Sequence, residues 1–382
     1  MPGLKLGGVE HGTVYATRGL TAGTWSRGRG FERIGSIPGS NVAARLFDIP
    51  PISGLLDRVT GSVTTTNLWP IGGDRLLATV GAELFQSSDR GQSWRLVRRL
   101  PESSGPMGVL PTAVCRHEDR LYLAEYPLGG EAARVVVSDD GRRWSTYVSR
   151  SDVRHFHGVF HDPYSGSLWG TTGDTNEESA IGRFVDGEFH PVGGGSQTWR
   201  AVDLAFTPES VLWGMDCSYA PRIEILRLSR DDIPPEPSDT AADSPVPDVV
   251  GAVDSPVFYA VTIQSGGTAW VVFSTAATTG TDSTGPGTDG TGSGPVQVVA
   301  ASRRSGYERW HQLLSLERSP ALGTTVPGIP TANAYAFLGT TPEGAVLINP
   351  FNTDHNHGQI LVSHPATFTE APRLSTEPRT VG

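Results

Sequence analysis

The sequence is poor in lysine, cysteine and long apolar runs, and each shortage argues against a class of protein. Lys5 is the only lysine in 382 residues, and 40 Asp and Glu residues bring the net charge to −10. Because a protein neutralises phosphates with a basic face, we expect no nucleic-acid partner. The two cysteines, Cys115 and Cys217, form no CxxC pair, which argues against a disulfide scaffold or a cysteine zinc site.

Apolar runs are also short. The longest, such as residues 269–273, have the length of a strand and not the roughly 18 residues of a membrane helix, so we expect no membrane span. The first eight residues lack a charged segment followed by an apolar stretch. The chain as written is therefore expected to be cytoplasmic, and extracellular if a signal was removed.

What the sequence does contain is a repeated strand–turn–strand pattern with alternating apolar residues. Residues 154–172 and 199–215 show it best, and each second strand contains Leu-Trp-Gly. The same shape recurs near residues 67–80, 112–125, 257–273 and 333–348. With an N-terminal fragment at 9–35, this predicts an all-β fold. We expect a single β-propeller of four-stranded blades, with seven blades and six as the alternative.

A second repeat lies outside these hairpins. Residues 87–94 read S-x-D-x-G-x-S-W, and residues 137–144 repeat the frame with Asp139, Gly141 and Trp144. This motif resembles the Asp-box, or BNR repeat, of the sialidase-like β-propellers. The resemblance implies tight turns between outer strands, with Asp89 and Asp139 structural and both tryptophans buried between blades. Glycine supplies the positive φ of such a turn.

Two segments break the pattern, and we interpret both as insertions within one propeller domain spanning 1–382. Residues 231–250 are rich in Pro and Asp, which is typical of an extended linker. Residues 275–295 are almost wholly Thr, Gly, Ser, Asp, Ala and Pro, a composition that cannot bury a core. We expect this second segment to be the least ordered and to overhang the channel mouth.

Propeller geometry predicts where chemistry collects. In every blade the first strand starts, and the second strand ends, at the same face of the disc. His155 and His157 are two residues apart on a first strand, so their side chains share one side, here the channel. Asp174 ends the paired strand, and one blade further Arg200 and Asp216 repeat these positions. The whole predicted set at the mouth is Glu125, Arg154, His155, His157, Asp174, Trp199, Arg200, Asp216, His355 and His357.

Each residue type in this set has more than one interpretation. The catalytic candidates are His155, His157, Asp174 and Asp216, because imidazoles and carboxylates transfer protons near neutral pH. The alternative is hydrogen-bonded residues lining a wet channel, or a divalent metal at the His155/His157 pair.

The remaining members are candidate substrate-binding residues. Arg154 and Arg200 suit bidentate capture of a carboxylate or a sulfate, unless they only form ion pairs with the aspartates. Trp199 suits stacking on a sugar, unless it packs in the blade core. Glu125, His355 and His357 are expected to line the same mouth.

The family resemblance implies a carbohydrate-active protein. The N-terminal arginine motif of the sialidases is interrupted in residues 31–38, so their catalytic roles are not carried over. Propeller-fold polysaccharide lyases, which pair a base with an arginine or a metal, resemble the predicted mouth more closely. We therefore expect a glycoside hydrolase or polysaccharide lyase acting on an acidic oligo- or polysaccharide, as a monomer. The alternatives are a glycan- or protein-binding propeller without catalysis and a structural propeller.

Overall fold

Seven antiparallel sheets form a ring in the computed structural model, which confirms a seven-bladed, all-β propeller and excludes the six-bladed alternative. The structure describes residues 3–39, 59, 65–217, 220, 222–235, 244–278, 294–321 and 332–374. Each sheet is a meander of strands in chain order, with its first strand next to the channel. Blades 1 to 6 have four strands, and three are described for blade 7.

The first half of the ring is built from sixteen strands, four to a blade. Blades 1 and 2 comprise β1 Leu4–Glu10, β2 Thr13–Arg18, β3 Thr21–Ser26, β4 Gly30–Ser36, β5 Thr66–Pro70, β6 Leu76–Val80, β7 Glu83–Ser87 and β8 Arg95–Arg99. Blades 3 and 4 comprise β9 Val114–His117, β10 Arg120–Ala124, β11 Ala133–Ser138, β12 Ser145–Arg150, β13 His155–His161, β14 Leu168–Gly173, β15 Ala180–Val185 and β16 Glu188–Gly194.

The second half completes the ring with eleven strands. Blade 5 comprises β17 Ala205–Phe206, β18 Ser210–Gly214, β19 Ile223–Ser229 and β20 Asp248–Val253. Blades 6 and 7 comprise β21 Val257–Ser265, β22 Thr268–Thr275, β23 Val296–Ser302, β24 Trp310–Leu316, β25 Tyr335–Thr340, β26 Val346–Phe351 and β27 Leu361–Ser363. In the described ranges, no helix has the length and apolar character needed to cross a bilayer.

The ring closes where blade 1 meets blade 7, and a buried side chain makes the join. The Asn349 amide on β26 accepts a hydrogen bond from Leu6 N (2.8 Å) and donates one to Leu4 O (3.1 Å). Leu4 N also donates to Gly358 O at 3.0 Å. The asparagine thus satisfies backbone groups of β1 that would otherwise be buried without partners.

Both predicted insertions join strands of one blade. Residues 275–295 connect β22 to β23, and 279–293 lie outside the described residues, so their order remains a prediction. Residues 231–250 connect β19 to β20, and 236–243 lie outside the described residues. Because β20 begins at Asp248, the last part of this predicted insertion belongs to the outer strand of blade 5.

The two tryptophan turns share a plan but differ by one residue. In the first, Ser87 Oγ accepts a hydrogen bond from Gly91 N (2.7 Å), and Asp89 Oδ1 accepts one from Ser93 N (2.9 Å). Arg90 is the extra residue of this turn and has a φ of 59°. Trp94 is half-buried, not fully buried as expected, and its Nε1 donates to Gly91 O at 3.0 Å.

The second turn corrects the predicted assignment of its aspartate. Asp140 Oδ1, and not Asp139, accepts hydrogen bonds from Arg142 N (2.7 Å) and Arg143 N (3.0 Å). The Asp139 side chain is 82% exposed and pairs with Arg120. This turn is one residue shorter than the first. The aspartate that accepts the backbone hydrogen bonds is therefore one position closer in sequence to the tryptophan, and Trp144 is half-buried.

Candidate functional site

Two strands of blade 4 bring the predicted histidines and an aspartate together. His155 and His157 lie on β13, and Asp174 follows the end of β14, which pairs with β13 in antiparallel register. A bulge between Phe156 and Gly158 interrupts the register at His157. The two Nε2 atoms lie 3.6 Å and 3.5 Å from Asp174 Oδ1. The three side chains therefore form one cluster, which we call the His–His–Asp cluster.

Two arginines hold the carboxylate of this cluster. Arg154 Nη1 lies 2.8 Å from Asp174 Oδ2, and Arg200 Nη2 lies 3.2 Å from Oδ1. Arg200 also donates from Nη1 to Asp174 O (3.0 Å), and its Nε lies 3.3 Å from Asp216 Oδ2. The ion pairs weighed as an alternative for both arginines are thus present. The contacts of Arg200 join blade 4 to blade 5.

The charges around Asp174 keep it ionised. Burial raises the pKa of Asp174, but the polar and charged groups in contact with its carboxylate outweigh burial and hold the pKa well below its usual range. A carboxyl group in this state orients cations and accepts hydrogen bonds, and it does not donate a proton near neutral pH.

Backbone carbonyls fix the two imidazoles. His155 Nδ1 lies 3.2 Å from Pro127 O, and His157 Nδ1 lies 2.9 Å from Ala201 O. Because a carbonyl only accepts, the hydrogen-bond partners assign the proton to Nδ1 in each ring. A ring with its single proton on Nδ1 presents the Nε2 lone pair toward Asp174. Desolvation by burial lowers the pKa of His155, which favours this neutral form.

Solvent reaches the arginine before it reaches the histidines. The Arg154 side chain is 46% exposed, whereas those of His155 and His157 are 0% and 1% exposed. Asp174 lies between these extremes. A ligand that enters from the mouth therefore meets Arg154 and Asp174 first, with both imidazoles behind them.

Tyr126 belongs to the site and was not predicted. Its ring stacks on His155 with centroids 3.9 Å apart, and the His157 ring lies 6.2 Å away. Burial raises the pKa of Tyr126, and the charges of Asp174 and Asp216 raise it further, so the phenol stays protonated. The sequence signal was its place at the end of the second strand of blade 3, directly after Glu125.

Two other unpredicted residues brace the backbone of Asp174. Gln197 Nε2 donates to Asp174 O at 3.1 Å. Glu178 Oε2 accepts a hydrogen bond from Asp174 N at 3.2 Å. Glu178 lies in the same loop as the aspartate, and Gln197 begins the short 3-10 helix that precedes blade 5.

Glu125 and Trp199 point away from the cluster. Glu125 is buried and pairs with Arg98 at 2.7 Å, toward blade 2. Trp199 is buried and stacks on Trp213 with centroids 5.1 Å apart, so the packing alternative describes its ring. Trp199 was predicted at the start of a first strand, but it ends a short 3-10 helix. The first strand of blade 5, β17, starts at Ala205.

His355 and His357 lie in blade 7, on the opposite side of the ring from blade 4. The exposed His355 lies 3.5 Å from the carboxylate of Asp354. His357 accepts a hydrogen bond from Asn352 N (2.9 Å) and meets the Phe351 ring edge-on. The structure therefore places them on the predicted face but not in the His–His–Asp cluster.

No protein-family model matches the chain, and no curated protein matches its sequence. Among solved structures, the chain is similar to the WD40 β-propeller domain of Doa1, with a TM-score of 0.49, 10% identity, and coverage of 92% of this chain and 90% of that one. The Hadza microbial sialidase Hz136 gives a TM-score of 0.45, 13% identity and coverage of 93% and 74%. A thermostable family-43 glycoside hydrolase gives a TM-score of 0.36 and 11% identity, with coverage of 73% of this chain and 98% of that one. All three TM-scores are below 0.5, so the propeller assignment depends on the strand order of this chain and not on these likenesses.

Proposed function

We propose that this propeller is a carbohydrate-active protein of the Asp-box, sialidase-like type that takes an acidic oligo- or polysaccharide at the channel mouth. The observation that carries the proposal is the placement of Arg154. In the described part of the chain, its guanidinium is oriented by Asp174 Oδ2 at 2.8 Å, and 46% of the side chain is exposed. The remaining N–H donors suit a bidentate hydrogen bond with a carboxylate or sulfate of the ligand.

The same geometry supports distinct roles for the residues around that anion. Asp174 stays ionised and orients Arg154 and Arg200, so it is a positioning residue and not the proton donor. Asp216 holds Arg200 from the other side. His157 would be the general base of a hydrolase or lyase, because its Nε2 carries a lone pair on the side of Asp174.

One observation favours the second candidate, glycan binding without turnover. A general base has to come within hydrogen-bond distance of the proton that it removes. Both imidazoles are buried behind Asp174, so substrate reaches them only if the mouth rearranges. Recognition through Arg154 requires no such movement.

Calorimetric titration with acidic and matched neutral oligosaccharides tests the proposal. We expect an acidic ligand to bind, and Arg154→Ala to weaken binding by about tenfold or more, as loss of a charge-assisted bidentate contact does. Arg120→Ala is the matched control, since Arg120 is 44% exposed and pairs with Asp139 away from the site. Equal binding of acidic and neutral sugars, or no effect of Arg154→Ala, would contradict the proposal.

Turnover separates the two candidates. Release of reducing ends or formation of an unsaturated uronate by the wild-type protein would support an enzyme. Loss of that rate in a folded His157→Ala protein, with glycan binding retained and no metal ion bound in the wild-type protein, would assign the base. Binding with no product under any condition would support recognition alone.

A further inference from the structure

The three donor atoms of the His–His–Asp cluster face one another without a hydrogen bond between them. The distances of 3.5 Å and 3.6 Å from the Nε2 atoms to Asp174 Oδ1 exceed those of normal N–H···O hydrogen bonds. With the proton of each ring on its Nδ1, the Nε2 lone pairs of both rings point at the same carboxylate oxygen. Such an arrangement is repulsive unless a cation lies among the three atoms.

His155 makes this conflict costly. Its side chain is fully buried, and its Nε2 has no hydrogen-bond partner in the described part of the chain. A buried polar atom without a partner costs about 1–3 kcal/mol. The atom points into the same small space as His157 Nε2 and Asp174 Oδ1.

We propose that His155, His157 and Asp174 bind a divalent transition-metal ion of the Zn²⁺ class. All three donor atoms lie within 4.8 Å of one another. Ligands about 2.1 Å from a tetrahedral ion lie about 3.4 Å apart, which is close to the two nitrogen–oxygen distances here. Two imidazoles and one carboxylate suit zinc, and three protein ligands leave a fourth position for water or a substrate oxygen.

The surroundings of the rings also match those of metal-binding histidines. Such histidines usually donate the other ring N–H to a carbonyl or a carboxylate, which fixes the ring and its tautomer. Pro127 O and Ala201 O provide this contact for His155 and His157. Tyr126 covers His155 and limits the access of water to the cluster.

The positive charges of Arg154 and Arg200 repel a metal ion, but both guanidinium groups have partners other than Asp174 Oδ1. Besides Asp174 Oδ1, Arg200 contacts Asp216 and the backbone carbonyl of Asp174. Arg154 contacts Oδ2 and not Oδ1. Oδ1 is thus available to an ion while both guanidinium groups keep a partner.

A proton is the competing occupant. One proton satisfies one Nε2 atom and leaves the other without a partner. Two protons would place two imidazolium rings with centroids 5.0 Å apart beside Arg154 and Arg200. One metal ion satisfies both nitrogens and the carboxylate together, which favours the metal.

Titration of the chelator-treated protein with Co²⁺ and Zn²⁺ tests the site. We expect one Co²⁺ per chain, with the visible absorption of a four-coordinate N/O site that Zn²⁺ abolishes. His157→Ala should weaken Co²⁺ binding by roughly a hundredfold or more, because a direct ligand is lost. His161→Ala is the matched control, since His161 lies at the other end of β13.

A second variant covers a folding failure of His157→Ala. Asp174→Asn keeps the side-chain volume and should also weaken Co²⁺ binding. Absence of one-to-one binding by the wild-type protein, or unchanged binding in Asp174→Asn, would overturn the proposal and leave a proton as the occupant. Because the titration contains no glycan, its result is independent of the proposed glycan binding at Arg154. A bound ion would occupy His157 Nε2 and so exclude the general-base role of that residue. Arg154→Ala should reduce glycan binding while retaining Co²⁺, so the two proposals fail separately.

Discussion

Arg230 and Asp162 form a two-pronged ion pair that joins blade 5 to blade 4. Nη1 lies 2.6 Å from Oδ2 and Nη2 lies 2.8 Å from Oδ1, and the carboxylate is fully buried. Arg230 Nε also donates to Thr207 O at 2.8 Å. Asp162 lies in the turn from β13 to β14, at the other end of these strands from the His–His–Asp cluster. The pair therefore holds the two site-bearing blades together from the opposite face.

Removal of Arg230 should destabilise the protein strongly. Arg230→Ala leaves a buried carboxylate without its cation, and such losses cost about 3–5 kcal/mol of the free energy of unfolding. Equilibrium unfolding in guanidinium chloride measures this change in the free energy of unfolding. Arg303→Ala is the control, because Arg303 pairs with Glu209 on the surface and should change stability by no more than about 1 kcal/mol. Similar losses in both variants would show that burial of the Arg230 pair does not matter.

Acid should weaken the same contact. Burial raises the pKa of Asp162, but hydrogen bonds from Arg230 and Ser165 outweigh it and hold the pKa below its usual value. The pair thus contributes stability above the unfolded pKa of about 3.9 and loses it as pH falls through the folded pKa. We expect the difference in free energy of unfolding between wild type and Asp162→Asn to shrink below about pH 4. Urea unfolding from pH 6 downward measures it, and a difference independent of pH would contradict this assignment.

Two adjacent aspartates in the second tryptophan turn should differ in their effect on stability. Asp140→Ala removes the acceptor for Arg142 N and Arg143 N, and we expect a loss of about 1 kcal/mol. Asp139→Ala removes only an exposed pair with Arg120, so the change should stay within about 0.5 kcal/mol. Thermal unfolding of the two variants side by side gives the comparison. A larger loss for Asp139→Ala would restore the assignment expected from the sequence.

Strand periodicity was sufficient to predict the centre of the site. Residues two apart on a strand share a side, and a returning strand ends beside the start of its partner. These two rules placed His155, His157 and Asp174 together, and the structure brings them within reach of one another. The repeat of the blade then predicted Arg200 and Asp216, whose backbones pair through Asp216 N and Arg200 O at 3.0 Å.

Periodicity failed where one residue decides which way a side chain points. Glu125 was predicted at the mouth, but Glu125 turns to Arg98 and its neighbour Tyr126 covers the histidines. The same one-residue error exchanged Asp139 for Asp140. Strand ends and turns carry bulges and positive φ values, such as that of Arg90, which alternation along the sequence does not reveal.

Asp203, a carboxyl group at the channel, should make the stability of the protein depend on pH. This residue lines a cavity of about 500 Å³ together with Leu204, Tyr259 and Phe337. Its carboxylate oxygens accept hydrogen bonds from Leu204 N (2.8 Å) and Ala260 N (2.9 Å). Desolvation by burial nevertheless raises the pKa of Asp203 to about 7. Between about pH 4 and 7, the folded state keeps a proton that the unfolded state has lost.

Stability from Asp203 is therefore present below about pH 4 and is lost as pH rises toward 7, by no more than about 1.4 kcal/mol per pH unit. Asp203→Asn cannot ionise, so the difference in free energy of unfolding between wild type and this variant should shrink from pH 4 to pH 7 and then stay constant. Urea unfolding at half-unit steps of pH measures this difference, in which the titration of His155 and other groups cancels. Asp119→Asn is the control, because the Asp119 side chain is almost fully exposed and its substitution should leave the pH profile unchanged. A wild-type-minus-Asp203→Asn difference that does not vary with pH would show that Asp203 is ionised throughout this range.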